Sequence, residues 1–213
     1  ISGYDHLGSL PAFVRGDFYV QDLSAMQAVR AAQVQKGWNI IDVCAAPGGK
    51  AIHAAQLMEG TGHVQARDLT EYKVDLILDN IDRCHADHVS AKVWDATVPD
   101  PEAVGSADLV IADLPCSGLG VLHGKPDIKY RMTREQTDEL AALQRQILSV
   151  VQSYVKPGGR LVYSTCTVNR AENEDNAAWF ANNYTAFEKS SEQQILPDDR
   201  QDGFYIAVFD RKD

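Results

Sequence analysis

The chain has 213 residues, 45% of them hydrophobic, and a formal net charge of −10 at pH 7. This length and composition fit a single α/β domain with a sizeable core. The sequence contains no run of about 18 apolar residues and no secretory signal pattern, so a transmembrane span and export are not expected. The negative net charge argues against a protein that binds nucleic acid through its overall electrostatic field.

Residue 1 is Ile rather than Met, so we expect a piece of a longer protein or a processed chain. The cysteines lack the spacing of a zinc site, because no CxxC pair is present and the six histidines do not supply the missing ligands. We therefore expect no metal and read the cysteines as reduced thiols of a cytoplasmic protein. These four cysteines are Cys44, Cys84, Cys116 and Cys166.

The predicted elements begin after an irregular lead-in, residues 1–36, which includes a helix from about Leu23. Strand candidates then follow at residues 40–43, 63–67, 89–94, 107–113 and 160–164. Helix candidates lie between them at residues 51–59, 71–84 and 134–155, the last closed by residues 156–159. The helix at 71–84 carries apolar residues with i, i+3, i+4, i+7 spacing, at Val74, Ile77, Leu78 and Ile81.

The C-terminal part of the chain predicts a different connection. A helix near residues 172–183 precedes two strand candidates, 186–190 and 203–209, which no helix separates. A hairpin with one antiparallel strand is therefore expected there. Strands that alternate with helices predict βαβ units and a mostly parallel sheet. We expect one domain, with residues 37–213 as its body and residues 1–36 packed against it.

Reactive side chains cluster where the predicted strands end. In an open parallel sheet, ligands bind beyond the carboxyl ends of the strands. Five consecutive strand ends carry a Gly-rich turn, three acids and two cysteines, which is more reactive chemistry than stability requires. These ends are residues 44–50 (CAAPGGK), Asp68, Asp95, residues 113–118 (DLPCSG) and residues 164–167 (STCT).

Taken singly, each feature has a structural explanation. The Gly-rich turn lacks both GxGxxG and GxxxxGK[ST] spacing, and can be a tight strand–helix connection. Asp68 can cap the helix that follows it, and a lone cysteine is often a small buried hydrophobic residue. Two cysteines at neighbouring strand ends, Cys116 and Cys166, favour chemistry over structure.

Several motifs, in order from about Gly16 to the C-terminus, resemble the RNA cytosine-C5 methyltransferases, and most of all the bacterial 16S ribosomal RNA enzymes. One departure is Leu114, where that family commonly has Ala. We expect this chain to lack the N-terminal helical RNA-binding domain of the ribosomal enzymes. The motifs are DVCAAPGGK at 42–50, DLPCSG at 113–118, KPDIKYR at 125–131, YSTCT at 163–167 followed by ENE at 172–174, and DGFYIAVF at 202–209.

The resemblance implies a Rossmann-like, S-adenosylmethionine-dependent methyltransferase fold with a seven-stranded, mostly parallel sheet, one antiparallel strand and helices on both faces. It also implies covalent catalysis, because carbon 5 of cytosine becomes nucleophilic only after a thiolate adds to carbon 6. By this likeness Cys166 is the nucleophile, and Cys116 helps to remove the C5 proton or release the product. Asp113 would hydrogen-bond or protonate ring nitrogen N3, a role that burial of a carboxyl supports.

The methyl donor implied by the resemblance is S-adenosylmethionine. Asp68 would bind its ribose hydroxyls, Asp95 would lie beside the adenine, and Asp113 would also touch the donor. The Gly-rich turn would surround its amino-acid and ribose portions, through Cys44, Ala45, Ala46, Pro47, Gly48, Gly49 and Lys50. Residues 172–174 match a family motif, or only cap the following helix.

The expected partner is RNA. We expect it to be bound by the segment of residues 123–134, which carries four cations and one acid. We expect phosphate contacts from Lys125, Lys129 and Arg131, although such a run is more often a solvated loop. No membrane partner is expected, and the protein is expected to be a monomer.

Four other readings remain open. A transfer RNA could replace ribosomal RNA as the substrate. A DNA cytosine methyltransferase would use Cys116 as its nucleophile, which leaves Cys166 unexplained. An amino-methyltransferase would carry an NPPY-like motif at residues 113–116, where DLPC stands. A catalytically silent RNA-binding module of the same fold is the remaining reading.

Overall fold

A computed structural model describes residues 5–213 and shows one seven-stranded sheet within them. The strand order is β3-β2-β1-β4-β5-β7-β6. All neighbouring pairs are parallel except those that involve β7, which is antiparallel to both β5 and β6. The expected fold, with one antiparallel strand in a hairpin, is confirmed. The strands are β1 (Asn39–Asp42), β2 (His63–Asp68), β3 (Val89–Val93), β4 (Ala107–Asp113), β5 (Val155–Thr165), β6 (Phe187–Ile195) and β7 (Phe204–Arg211).

Helices cover both faces of this sheet. One apolar core joins α2, α3 and α4 to the first face, and a second core joins α6 and α7 to the opposite face. Central strands buried on both faces explain why residues 107–113 read as a continuous apolar run. The described helices are α1 (Pro11–Val14), α2 (Leu23–Ala31), α3 (Gly49–Leu57), α4 (Glu71–Cys84), α5 (Ile128–Arg131), α6 (Arg134–Val151) and α7 (Glu174–Asn183). Within residues 5–213, no helix combines the length and apolar character needed to cross a membrane.

Helix α4 follows its sequence pattern closely. The Thr70 hydroxyl accepts a hydrogen bond from the Lys73 amide at 3.3 Å and caps the amino end. Val74, Ile77 and Ile81 are buried against the sheet, whereas Leu78 is 41% exposed. The expected helix is confirmed, but its apolar stripe is one residue narrower than the spacing predicts. Because Thr70 is the cap, the alternative that Asp68 caps this helix is wrong.

The prediction for residues 134–159 is partly wrong. Helix α6 ends at Val151, a single 3₁₀ turn spans Gln152–Tyr154, and β5 begins at Val155. Val155 is fully buried and pairs with Ala107, which draws the chain into the sheet before the glycines. The Lys-Pro-Gly-Gly stretch at 156–159 then lies within β5 as an irregularity in its pairing with β4, rather than closing a helix.

The remaining differences are at element ends. Strand β3 ends at Val93, so Asp95 lies two residues beyond it in the loop. Helix α7 begins at Glu174, and both closing strands extend further than the sequence predicts. The division into a lead-in and a catalytic domain stays a prediction, although α2 does pack against α3 and β7.

Candidate active site

The structure brings the two cysteine-bearing strand ends into contact. Strands β4 and β5 are parallel neighbours in which Asp113 pairs with Ser164, so the segments that follow them leave the sheet side by side. The sulfur atoms of Cys116 and Cys166 are 3.1 Å apart. This contact joins residues 50 positions apart in sequence, and it follows from the register of the two strands.

The hydrogen bond between these thiols separates their acidities. The bond to Cys166, together with burial, raises the pKa of the Cys116 thiol well above its ordinary value. The same bond lowers the pKa of Cys166, and burial opposes that shift. The directions of these two shifts favour the proton on Cys116 and the negative charge on Cys166. Cys166 is therefore the sulfur that forms a thiolate first.

Backbone hydrogen bonds join the loops that carry the cysteines. The Gly120 N–H donates to the Cys166 carbonyl at 3.0 Å, and the Gly203 N–H donates to the Gly120 carbonyl at 2.8 Å. The two glycines are in close contact, since a Cβ on Gly120 would lie 2.1 Å from the Gly203 carbonyl oxygen. Three segments that are distant in sequence thus meet at a point where neither glycine can carry a side chain.

An ion pair lies beside the thiols. Lys50 donates to Asp113, whose other carboxylate oxygen accepts a hydrogen bond from the Ser164 hydroxyl at 2.8 Å. Burial disfavours the charge of Lys50, but the adjacent Asp113 carboxylate more than offsets this and raises the pKa of the ammonium. The sequence placed Lys50 with the cofactor and Asp113 with both the catalytic and the cofactor-binding residues, and the structure joins the two side chains.

Sequence reasoning missed a second carboxyl, that of Asp42, which lines the same cavity as Lys50 and Asp113. Asp42, the last residue of β1, is 1% exposed, and neither of its side-chain oxygens has a hydrogen-bond partner. Burial raises its pKa to about 7, an effect that Lys50 opposes and Asp113 reinforces. An acid at the end of the apolar run was the signal in the sequence that could have revealed it.

The Gly-rich turn forms a compact cradle at the end of β1. Gly48 has a φ of 103° at the start of α3, a conformation that favours glycine. Asp68 is 3% exposed and accepts a hydrogen bond from the Ala46 N–H at 3.0 Å. Its other oxygen accepts from the Leu69 N–H at 2.8 Å and lies 2.9 Å from the Lys73 ammonium. The acid at the end of β2 therefore braces the turn at the end of β1.

Two cavities share Cys44 as a lining residue. Burial raises the pKa of the Cys44 thiol, so it stays neutral. One cavity is lined by the Gly-rich turn with Asp42, Lys50 and Asp113. The other is lined by Asp68, Leu69, Trp94, Asp95 and residues packed around them. Asp95 itself is exposed, and its carboxylate accepts hydrogen bonds from the Thr97 amide and hydroxyl at 2.8 and 2.7 Å.

These two cavities form a continuous edge that suits an elongated polar ligand. The amino group of an amino acid fits the end where the Asp42 oxygens are unpartnered acceptors, and a planar ring fits the end beside Trp94. The residues present therefore fit S-adenosylmethionine. Sequence reasoning missed the lead-in's contribution, because Tyr19, Val20 and Gln21 close the first cavity from a segment without a regular pattern.

The basic loop, residues 123–134, lies next to the thiols but is built differently. Its cations are exposed, and its recorded ion pair, Arg131 with Asp127 at 3.4 Å, is between two exposed side chains. Tyr130 is 80% exposed, with the Lys129 ammonium 4.8 Å from its ring centre. The loop is held near the site by Ile128, whose side chain packs against Gly118.

Comparison with known proteins decides the family. A family model described as "16S rRNA methyltransferase RsmB/F" matches residues 29–210. The chain belongs to the RsmB/F family. A relative described as a probable ribosomal RNA small subunit methyltransferase B, from Bacillus subtilis, is 38% identical over 188 residues, which cover 87% of this chain and 42% of the relative. The chain thus spans less than half the length of that relative.

Solved structures give the same fold. NSun6 from Pyrococcus horikoshii, determined with SFG, superposes with a TM-score of 0.88 at 29% identity, covering 99% of this chain and 57% of that one. A SAM-dependent O-methyltransferase from Thermotoga maritima shares the fold alone, with a TM-score of 0.61 at 14% identity over 92% of this chain and 65% of that one. S-adenosylmethionine, the expected cofactor, is confirmed as the cofactor of this family and fold.

Proposed function

We propose that this protein methylates carbon 5 of cytosine in ribosomal RNA, with Cys166 as a covalent nucleophile. The observation that carries the proposal is the pair of thiols 3.1 Å apart whose pKa values move in opposite directions. One thiolate and one protonated thiol at the same place suit a reaction that needs first a nucleophile and later a base. Membership of the RsmB/F family supports RNA of the small ribosomal subunit as the substrate.

In the first step the Cys166 thiolate adds to carbon 6 of a cytosine that has been turned out of its stack. The electron pair of the 5,6 double bond moves into the ring, and N3 accepts a proton. In this proposal Asp113 relays that proton to N3 from the Lys50 ammonium, which donates a hydrogen bond to the Asp113 carboxylate. The resulting enamine makes carbon 5 nucleophilic.

S-adenosylmethionine, when bound, supplies the methyl group that carbon 5 accepts. Asp68 and the turn at residues 44–50 would hold its ribose and amino-acid portions, and the Trp94 side of the edge would hold its adenine. Asp95 lies at this end, exposed and bonded to Thr97, so we propose for it a contact at the rim of the adenine pocket.

In the last step the C5 proton must leave before the nucleophile can be eliminated. Once the Cys166 sulfur is bonded to carbon, it no longer carries the charge that helps to keep the proton on Cys116. Cys116 can then release its own proton to solvent, and the resulting thiolate accepts the C5 proton. The C5–H electron pair restores the 5,6 double bond, the C6–S bond breaks, and Cys166 regains its thiolate. N3 then returns its proton through Asp113 to Lys50.

The test separates the two thiols. Each cysteine is replaced by Ala, and each protein is incubated with a 16S rRNA fragment and methyl-labelled S-adenosylmethionine. Cys166→Ala should form no adduct and transfer no methyl group, whereas Cys116→Ala should accumulate a labelled protein–RNA band that resists denaturant. The double variant should show none. An adduct in Cys166→Ala and none in Cys116→Ala would reverse the roles and contradict the proposal.

A further inference from the structure

Glu172 lies between β5 and α7 and is 0% exposed. Its Oε1 accepts hydrogen bonds from the Ser117 hydroxyl at 2.5 Å and the Asn169 side-chain amide at 3.0 Å. Its Oε2 accepts from the Ser117 backbone N–H at 2.9 Å and the Gln144 side-chain amide at 3.1 Å. Each carboxylate oxygen thus accepts two bonds, all from neutral donors.

This arrangement is specific to a carboxylate. A buried carboxylate without a cation is costly, and only a full set of donors offsets that cost. A glutamine at the same place would turn an N–H₂ group toward two of the donors, because an amide has one accepting oxygen and one donating nitrogen. Packing alone would be served by an apolar residue, so the acid must do more than fill space.

The partners of Glu172 lie around the two cysteines. Ser117 directly follows Cys116, and its hydroxyl is 2.8 Å from the hydroxyl of Thr167, which directly follows Cys166. Gln144, which bonds to Glu172 from α6, also donates to the Pro115 carbonyl at 2.9 Å. The carboxylate therefore holds the Cys116 loop at two points, through backbone and side chain.

The Cys166 side has a separate support. Asn173 accepts a hydrogen bond from the Thr165 hydroxyl at 2.6 Å and donates to the Thr167 carbonyl at 2.9 Å, so it holds the residues on both sides of Cys166. It makes no side-chain cap on α7. The capping alternative is therefore wrong for Asn173. Because the Asn173 bonds do not involve Glu172, loss of Glu172 would release the Cys116 loop while Cys166 stays in place.

We propose that Glu172 is a positioning residue that holds Cys116 in hydrogen-bond contact with Cys166. It acts through Ser117 and touches neither thiol in the structure. Its consequence for methyl transfer rests on the function proposed above, whereas its effect on the thiols does not. Without it, Cys116 would move away, and Cys166 would lose the donor that favours its thiolate.

The test replaces Glu172 by Gln, which keeps the shape of the side chain and removes its paired acceptors. Glu174→Gln is the matched control, since it makes the same change two residues away in the first turn of α7. Iodoacetamide alkylation of Cys166 is followed over a pH series by mass spectrometry of its peptide. Glu172→Gln should move the alkylation midpoint to higher pH and slow the reaction several-fold at pH 7. Glu174→Gln should leave both unchanged.

A folded Glu172→Gln protein whose Cys166 profile matches wild type would overturn the proposal, as would an equal shift in Glu174→Gln. Should Glu172→Gln fail to fold, Ser117→Ala provides the second variant. It removes the Ser117 hydroxyl, with its contacts to Glu172 and Thr167, and keeps the backbone bond to Glu172. The proposal requires a smaller shift in the same direction; no shift overturns it.

RNA assays then separate the two proposals. If Glu172→Gln shifts the alkylation profile but wild-type protein transfers no methyl group to RNA, the positioning role stands and the proposed function fails. If both hold, Glu172→Gln should form the RNA adduct several-fold more slowly with unchanged affinity for S-adenosylmethionine.

Discussion

The thiol site is formed by Cys116, Ser117, Cys166, Thr167 and Glu172. It lies beside the basic loop in the fold, but the two regions are built in opposite ways. Ser117, Thr167 and Glu172 are buried, and their side-chain oxygens are engaged in hydrogen bonds to one another or to neighbouring residues. The basic loop exposes its cations and has an ion pair that is itself exposed. One region keeps its atoms within hydrogen-bond distance, and the other keeps its charges in water.

This contrast teaches how the two parts of the proposed reaction divide. Covalent chemistry needs a nucleophile and a base at fixed separation, and buried hydrogen bonds provide that because each lost bond is expensive. Contact with RNA phosphates needs positive charge that can adapt, and exposed cations provide it at a strength that salt reduces. A substitution that changes the charge of a buried residue at the sheet edge should therefore change the stability of the fold. A charge substitution in the basic loop should change RNA binding alone.

The largest expected effect is on the pH dependence of stability, through Asp42. Its folded pKa is about 7 against an ordinary value of 3.8, so the folded protein holds a proton that the unfolded chain releases between those values. Stability must then fall as pH rises through this window. Asp42→Asn should remove this fall, worth on the order of 2–4 kcal/mol.

Denaturant unfolding at pH 4.5, 6 and 7.5 measures the effect of Asp42→Asn. Asp127→Asn in the basic loop is the control, and its stability should follow wild type at each pH because Asp127 is exposed. Parallel curves for wild type and Asp42→Asn would contradict the buried, uncharged state of Asp42.

A smaller effect is expected on cofactor binding. Asp68→Ala removes the acceptor for the Ala46 N–H and, in our proposal, for the ribose hydroxyls. Affinity for S-adenosylmethionine should weaken by about 1–3 kcal/mol, as expected when buried donors lose their acceptor. Calorimetry on the folded variant measures this, and an unchanged dissociation constant would reject the assignment.

The smallest expected effect is on RNA affinity and arises in the basic loop. Replacing Lys125, Lys129 and Arg131 together by Ala should weaken binding by about 1–2 kcal/mol near 0.1 M salt and lower the salt slope by about 2, since each phosphate contact on a single strand contributes roughly 0.7. Stability should not change. The control replaces Lys36, Lys156 and Lys212, which lie toward the amino ends of β1 and β5.

Binding titrations at several salt concentrations give both quantities. Equal salt slopes for wild type and the loop variant would show that the basic loop is solvated surface without an RNA contact. A loss of slope in the control as large as in the loop variant would show that the whole protein surface, and not this loop, attracts RNA.

Local pattern explains the parts of the fold that sequence predicted. The apolar runs at β1 and β4 and the stripe of α4 are properties of neighbouring residues, so they can be read without the structure. The meeting of Cys116 and Cys166 was also within reach, because parallel neighbouring strands end at one edge. The roles given to site residues there stay predictions, since the structure shows their placement and not their chemistry.

Other features depend on contacts that sequence does not display. Glu172 accepts a hydrogen bond from Ser117, which is 55 residues away in sequence. The sequence alone therefore could not distinguish a buried Glu172 from one that caps helix α7. Tyr19 reaches the cofactor edge from a segment with no periodicity. The end of α6 at Val151 was hidden for a related reason, because the pairing of Val155 with Ala107 outweighs the turn signal of the glycines after it.

The contact between Gly120 and Gly203 marks a position after which a segment of the chain can be replaced. Gly120 is bonded through its N–H to Cys166 and through its carbonyl to Gly203, so two backbone hydrogen bonds hold the chain where it leaves the thiol site. The segment that follows rejoins the fold at the Thr133 capping box of α6. In our proposal residues 121–132 carry the RNA contacts, so a segment of another charge that keeps Ile128 against Gly118 should change RNA binding and leave the contact between the thiols intact.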